Sequence, residues 1–335
     1  MWVDGVAFFL GVSLLFYCLF AGADFGAGML EMFVGARKCD EQKDVIAHAI
    51  GPVWEANHMW LILAIVILIM GFPRAYSTLS ITFHIPLTLM LLGIVLRGGA
   101  FTFRHYDAVR DRSQQYYAAI FMLSSFLTPF MLGVIAGGML LGRPTAPALG
   151  FSAAFLWPWV NVFSFSVGGF TCVLFAFLAA VYLLGETHDP ELRQIFMKRA
   201  QLCNGVAVII GALVFLCAYL DGVELTHRFA TNPVCVGCMG GATLLLVPLW
   251  FAIRKGAVYQ ARVLAASQVG LILLEWFRVQ FPVLLNDDTG PVTLYNAAAP
   301  EATLRVLCYT LLTDATLIFP ALAYLLWVFK ANRSG

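Results

Sequence analysis

The stretch GPVWEANHMWLILAIVILIM, residues 51–70, decides the fold. Its second half, Leu61–Met70, carries no polar side chain. Together with the residues before it, the run reaches the roughly 20 mostly apolar positions that an α-helix needs to cross a bilayer. Its first half places Glu55, Asn57 and His58 at the threshold of the hydrocarbon. A charge at mid-bilayer costs about 2.5–3.5 kcal/mol on insertion scales, so a carboxylate there needs a partner or a task.

Working outward, nine such runs emerge, at about 4–33, 52–72, 78–97, 117–141, 157–184, 203–220, 236–253, 262–281 and 304–329. They are too long and too continuously apolar for barrel strands, and only helices satisfy their own backbone hydrogen bonds in lipid over such lengths. The composition agrees: 61% of residues are hydrophobic and 12% charged, about half the charge of a water-soluble domain. The expectation is an all-α polytopic membrane protein of nine transmembrane helices, one transmembrane domain over residues 1–335. A net charge of +1 provides no field to attract nucleic acid. MWVDGVAFFL carries an aspartate where a secretory signal would carry positive charge, so the first run is expected to be retained as a helix.

Fifteen of the twenty Lys and Arg residues flank one set of run ends and five the other. With strict alternation, the bias places the amino terminus outside and the carboxyl terminus in the cytoplasm. The longest outer connection, FPVLLNDDTGPVTLYNAAAPE, holds a turn signal in NDDTG and lacks the spaced oxygen ligands of a calcium site. The eight cysteines lie mostly in apolar runs, as small hydrophobes do. Cys235 and Cys238 form a CxxC with no second pair to complete a zinc site, and an outer-face disulfide between them is a minor expectation.

In the first run, Asp24, Gly28 and Glu31 follow the i, i+4, i+7 rule and share one helix face. Counted at ~1.5 Å per residue, Asp24 lies roughly 30 Å from the outer end, close to the cytoplasmic side. Glu55 opens the next, oppositely directed run at similar depth, with His48 and His58 on roughly the same side. Protonatable groups at the inner ends of adjacent helices are how the mouth of a proton path would be built. The plainer alternative is that they are anchors, reaching water or an arginine such as Arg37 or Arg97. No spacing marks a haem cage around His58 or His84, and the Glu55/His58 pair lacks the second copy a di-iron site needs. Asp314 is the most deeply placed carboxylate, and Glu275 and Arg278, three apart, are expected to neutralise each other.

The motifs GADFGAGML and GPVWEANHMWL, with LRGGAFTFRH, TPFMLGVIAGGMLLG and LYNAAAPEATL in this order, resemble subunit II of the cytochrome bd-type quinol oxidases, especially the cyanide-insensitive branch. The resemblance covers essentially the whole chain. It implies nine helices as two four-helix bundles plus a peripheral helix, in a bacterial inner membrane. It further implies a complex that oxidises quinol and reduces dioxygen to water, with haem b and haem d carried by a partner subunit I and none by this chain. A bound quinone and a small accessory subunit are compatible with it. On this resemblance Asp24 and Glu55 fall on the acids of a proton route from the cytoplasm, supported by Trp54, His58, Arg97 and Glu31. Many members carry Asp where Glu55 stands, which keeps the chemistry, and an additional Asp where Ala21 stands, whose role cannot transfer.

Two rivals from other classes follow from the same residues. A secondary transporter would use Asp24, Glu55 and Asp314 as coupling-ion residues, but would be expected to show inverted repeats, which are not evident. A haem-bearing cytochrome would need His58 and His84 to share an iron, although they are expected near opposite faces.

Overall fold

The computed structural model describes residues 1–34, 38–106, 113–144, 150–223 and 225–331; at 51–56, 105–106, 318–319 and 321–331 it describes the backbone path alone. Thirteen helices and one hairpin occur among these residues. In chain order they are α1 (Trp2–Glu31), α2 (Cys39–Gly71), α3 (Pro73–Thr82), α4 (His84–Tyr106), α5 (Ser113–Leu141), α6 (Phe151–Phe155) and α7 (Val162–Leu183). There follow α8 (Pro190–Leu220), α9 (Leu225–Thr231), α10 (Pro233–Leu244), α11 (Leu246–Lys255), α12 (Val258–Gln280), β1 (Val283–Asp287), β2 (Gly290–Thr293) and α13 (Glu301–Ala331).

Each apolar run falls on a helix or a helix pair. Among the described residues seven helices are long and apolar enough to cross a membrane, or eight if the bent pair α2–α3 is one span. This is a multi-pass, all-α membrane protein. α1, α2, α4 and α5 form one bundle; α7, α8, α10–α11 and α12 form a second, joined to the first mainly through α5–α7 and α1–α7. α13 lies outside both, against α1 and α2.

Two of the runs are not single straight helices, and proline explains both. The run expected from residue 78 is broken: α3 leaves the axis of α2 at 116°. Pro73 stands at the first position of α3 and has no N–H to continue α2, while Phe72, fully buried, fills the corner. The chain breaks again at Phe83, because a helix continued through Pro86 would drive the proline ring into the carbonyl of Thr82. As the third residue of α4, Pro86 sits where an N–H has no intrahelical partner anyway. Pro248, third in α11, separates α10 from α11 in the same way.

The bundles join closely because small residues line the seam. A Cβ on Gly26 of α1 would run into the backbone carbonyl of Phe175 on α7, so only glycine permits this approach. The connection between α12 and α13 folds as the antiparallel hairpin β1–β2, tied down by Arg74, whose Nη2 donates to Asp287 Oδ2 at 3.0 Å. NDDTG, read as a turn, is the tip of that hairpin.

Candidate functional site

α1 brings Asp24 and Glu31 to one face, two turns apart, and α4 answers with Arg97 and Arg104, also seven residues apart. Arg97 Nη1 donates to Asp24 Oδ2 at 2.8 Å and Nη2 to Oδ1 at 2.6 Å, a bidentate fork; Nη2 also donates to the Asp24 carbonyl at 2.9 Å. Both side chains are out of contact with solvent, at 0% and 1% exposure. Two turns on, Arg104 Nη1 lies 2.8 Å from Glu31 Oε1 and donates to Oε2 at 2.9 Å. The sequence offset of 73 is the same in both pairs. Two rungs with one offset require α1 and α4 to run parallel, with the rungs ~10 Å apart.

The upper rung is built to hold its charge. Arg97 Nε donates to Ser125 Oγ on α5 at 3.0 Å, and Ser125 Oγ donates in turn to the Phe121 carbonyl at 2.6 Å. Ser125 can stand there because residue 28 of α1 is glycine; a Cβ would occupy the space of the hydroxyl. The rings of Phe25 and Phe121 cover the guanidinium with centroids at 4.6 and 4.9 Å, where a desolvated cation is favoured. From α2, Asn57 Nδ2 donates to Asp24 Oδ2 at 3.3 Å, the longest contact of the cluster, and Asn57 Oδ1 is buried with no partner among the described residues.

Of the sequence-derived candidates, the structure therefore joins Asp24 to Arg97 and sets Glu31 on the next rung. Trp54 and Glu55 lie in α2 just before Asn57, but their side chains fall outside the described residues. His58 is half-buried on α2. Ser125 and Arg104 were not singled out by sequence, and Asn57 was noted only for its place at the threshold of its run; the shared seven-residue step of 24/31 and 97/104 is the signal that would have found the ladder.

Three expectations change. Glu275 and Arg278 do not pair: Glu275 is buried with Oε1 unpartnered, and Arg278 is exposed at the end of α12. The long arginine side chain can reach the boundary from there, whereas the shorter carboxylate stays under α10, near Cys235 and Cys238. Those two cysteines are free thiols, both buried. Asp314 is exposed on α13 and is not gathered with Asp24, so the three carboxylates of a transporter site are not assembled.

His58 and His84 are not placed to share a haem iron. Along the chain, His58 precedes the end of α2 by thirteen residues, roughly 20 Å, and His84 only begins α4 beyond the corner. His84 Nδ1 faces the Ile81 carbonyl at 3.0 Å and its ring packs edge-on to Phe155. Among the described residues no three of His, Cys, Asp and Glu are grouped to hold a metal ion.

A polytopic helical protein with a carboxylate–guanidinium ladder near one end of its first bundle, its Asp24–Arg97 rung fully desolvated, is the class that fold and site define. The family model described as cytochrome bd terminal oxidase subunit II matches residues 4–329, and the chain belongs to that family. It is thus a subunit of a terminal oxidase. It is 27% identical over 337 residues to the cytochrome bd ubiquinol oxidase subunit 2 of Bacillus subtilis strain 168, covering 97% of this chain and 96% of that one. It is 24% identical over 351 residues to the cytochrome bd-I ubiquinol oxidase subunit 2 of Escherichia coli K12, covering 95% and 91%. In fold it is similar to a chain of the bd oxidase from Geobacillus thermodenitrificans, with a TM-score of 0.78, 20% identity and 98% of each chain covered. Matches of this length favour the oxidase reading over the transporter.

Proposed function

We propose that this chain is the haem-free subunit of a bacterial bd-type quinol oxidase, embedded as one nine-helix domain in the inner membrane with its amino terminus outside. It packs against a subunit I that carries haem b and haem d, where quinol is oxidised and dioxygen reduced to water. Its own contribution is proton access from the cytoplasm by way of Glu55 and Asp24, with Trp54, His58, Arg97 and Glu31 in support. Reduction of dioxygen consumes protons, and drawing them from the inner side separates charge without a pump.

The observation that carries this reading is the ladder itself. Two ion pairs, one fully dehydrated, stand in line along α1 and α4 where neutral residues would pack at lower desolvation cost. The rungs set charged groups in one line along the inner ends of α1 and α4. The proposed point of exchange is Asp24 Oδ2, which among the described residues of α2 meets Asn57 alone, at 3.3 Å, and Asn57 Oδ1 has no partner among the described residues. A water or hydroxonium competes best at the weakest hydrogen bond.

Glu55→Gln, assembled with its partner, is expected to slow oxygen consumption on the order of tenfold or more, as loss of a proton-transfer group does, with haem content unchanged. Oxygen consumption at the wild-type rate would overturn the route, and loss of the haems would reassign Glu55 to assembly.

A further inference from the structure

At the membrane face where α8 ends, α10 begins and α12 ends, a cleft of about 440 Å³ is lined by Arg228, Thr231, Asn232, Val234 and Arg278. No acid lines it. The ion pairs found among the described residues engage Lys38, Arg74, Arg97, Arg104 and Arg262, and neither arginine of the cleft. Two guanidiniums on one concavity, neither of them in an ion pair among the described residues, make a site for an anion with several acceptor oxygens. The first turn of the twelve-residue α10 adds the positive end of its dipole. Arg278 stands close enough for its charge to reach Cys235 in that turn.

What surrounds the cleft chooses between a free anion and a lipid. One turn deeper than Arg278 on α12, Leu274 is 46% exposed, and on α10 Val236 and Leu244 are 53% and 74% exposed. A cationic cleft at the boundary above an uncovered apolar helix surface matches the two ends of a phospholipid. We infer that Arg228 and Arg278 clasp the phosphate of a phospholipid headgroup, its acyl chains lying along α10 and α12. A lipid seated there closes the gap between α9–α10 and α12 at that face of the second bundle.

Native mass spectrometry of the assembled oxidase, stripped of lipid and then exposed to phosphatidylglycerol vesicles, tests this. The wild type is expected to retain a lipid adduct that Arg228→Gln/Arg278→Gln loses, with occupancy falling roughly tenfold for each guanidinium removed. Arg305→Gln, an exposed arginine outside the cleft, is expected to retain the adduct. Arg228→Lys/Arg278→Lys, which keeps the charge, should bind at intermediate level and guards against a misfolded double variant. Equal retention by the double variant, or equal loss in Arg305→Gln, would overturn the assignment. Inorganic phosphate that displaces the lipid at millimolar concentration would show a site for free anion instead.

Discussion

The two bundles bury polar groups in opposite ways. In the second, α8, α10, α11 and α12 are cross-tied by neutral side chains: Trp250 Nε1 donates to Asn204 Oδ1 at 2.8 Å, and Asn204 Nδ2 to Gln268 Oε1 at 3.2 Å. Gln268 Nε2 closes the chain on the Ala242 carbonyl at 3.2 Å. In the first, α1, α4 and α5 are tied by ions, Asp24 with Arg97 and Glu31 with Arg104. Neutral ties hold helices together here, so ions are not demanded by packing. Dehydrating two charges costs several kcal/mol per ion before their attraction returns it. The bundle that keeps them despite that cost is the one through which the proton route is proposed to run.

The largest effect expected from breaking this contrast is at Arg97. Arg97→Leu leaves Asp24 buried and uncompensated, and is expected to destabilise the subunit by about 3–5 kcal/mol. The measurement is thermal unfolding of the purified complex, together with its yield. Asp24→Leu/Arg97→Leu removes both charges and is expected to recover most of the loss, because an apolar pair of adequate volume substitutes for a buried ion pair at little net cost. Recovered stability without recovered oxygen consumption would separate the function of the ladder from its packing. A double variant as unstable as the single one would make the ladder a structural necessity and erase the distinction between the bundles.

Much of this was legible in the sequence, and for a physical reason: the bilayer forces helices, so apolar run lengths set the spans and the placement of Asp24 and Glu31 on one face followed from periodicity. Proline at 86 and 248 broke runs that composition alone joined, because hydropathy ignores which backbone N–H groups are missing. Arg97 was named beside Arg37 as a cation the carboxylates could reach if they were plain anchors, but its pairing with Asp24 depends on Gly28 making room for Ser125, a contact between helices that no single run contains. The pairing assigned to Glu275 and Arg278 failed for the converse reason. Spacing on one helix brings two side chains near each other, yet their lengths and the neighbouring helix decide where each ends.

In the second bundle, Asn204→Leu removes a donor and an acceptor together and leaves Gln268 and the indole N–H of Trp250 short of a partner. A loss of about 1–3 kcal/mol is expected, less than at Arg97, since no charge is stranded. Oxygen consumption per haem should be unchanged, because these ties lie outside the proposed route. A fall in turnover without a fall in stability would extend the functional polar groups into the second bundle.

The smallest effect is expected at Glu275, and it sharpens the contrast most. Glu275 is buried like Asp24, but among the described residues no cation stands within ion-pair distance of it. Glu275→Gln keeps the shape of the side chain and strands no positive charge, so its thermal unfolding should stay within about 1 kcal/mol of the wild type. Asp24→Asn, an equally small change in shape, leaves the Arg97 guanidinium dehydrated between two phenyl rings with its counter-charge gone, and should fall well below it. Melting the two variants side by side holds burial and isosteric change constant and varies only the partner. Equal melting points would mean that the guanidinium does not depend on Asp24 for its charge balance, and the reading of the ladder as a coupled ion pair would fail.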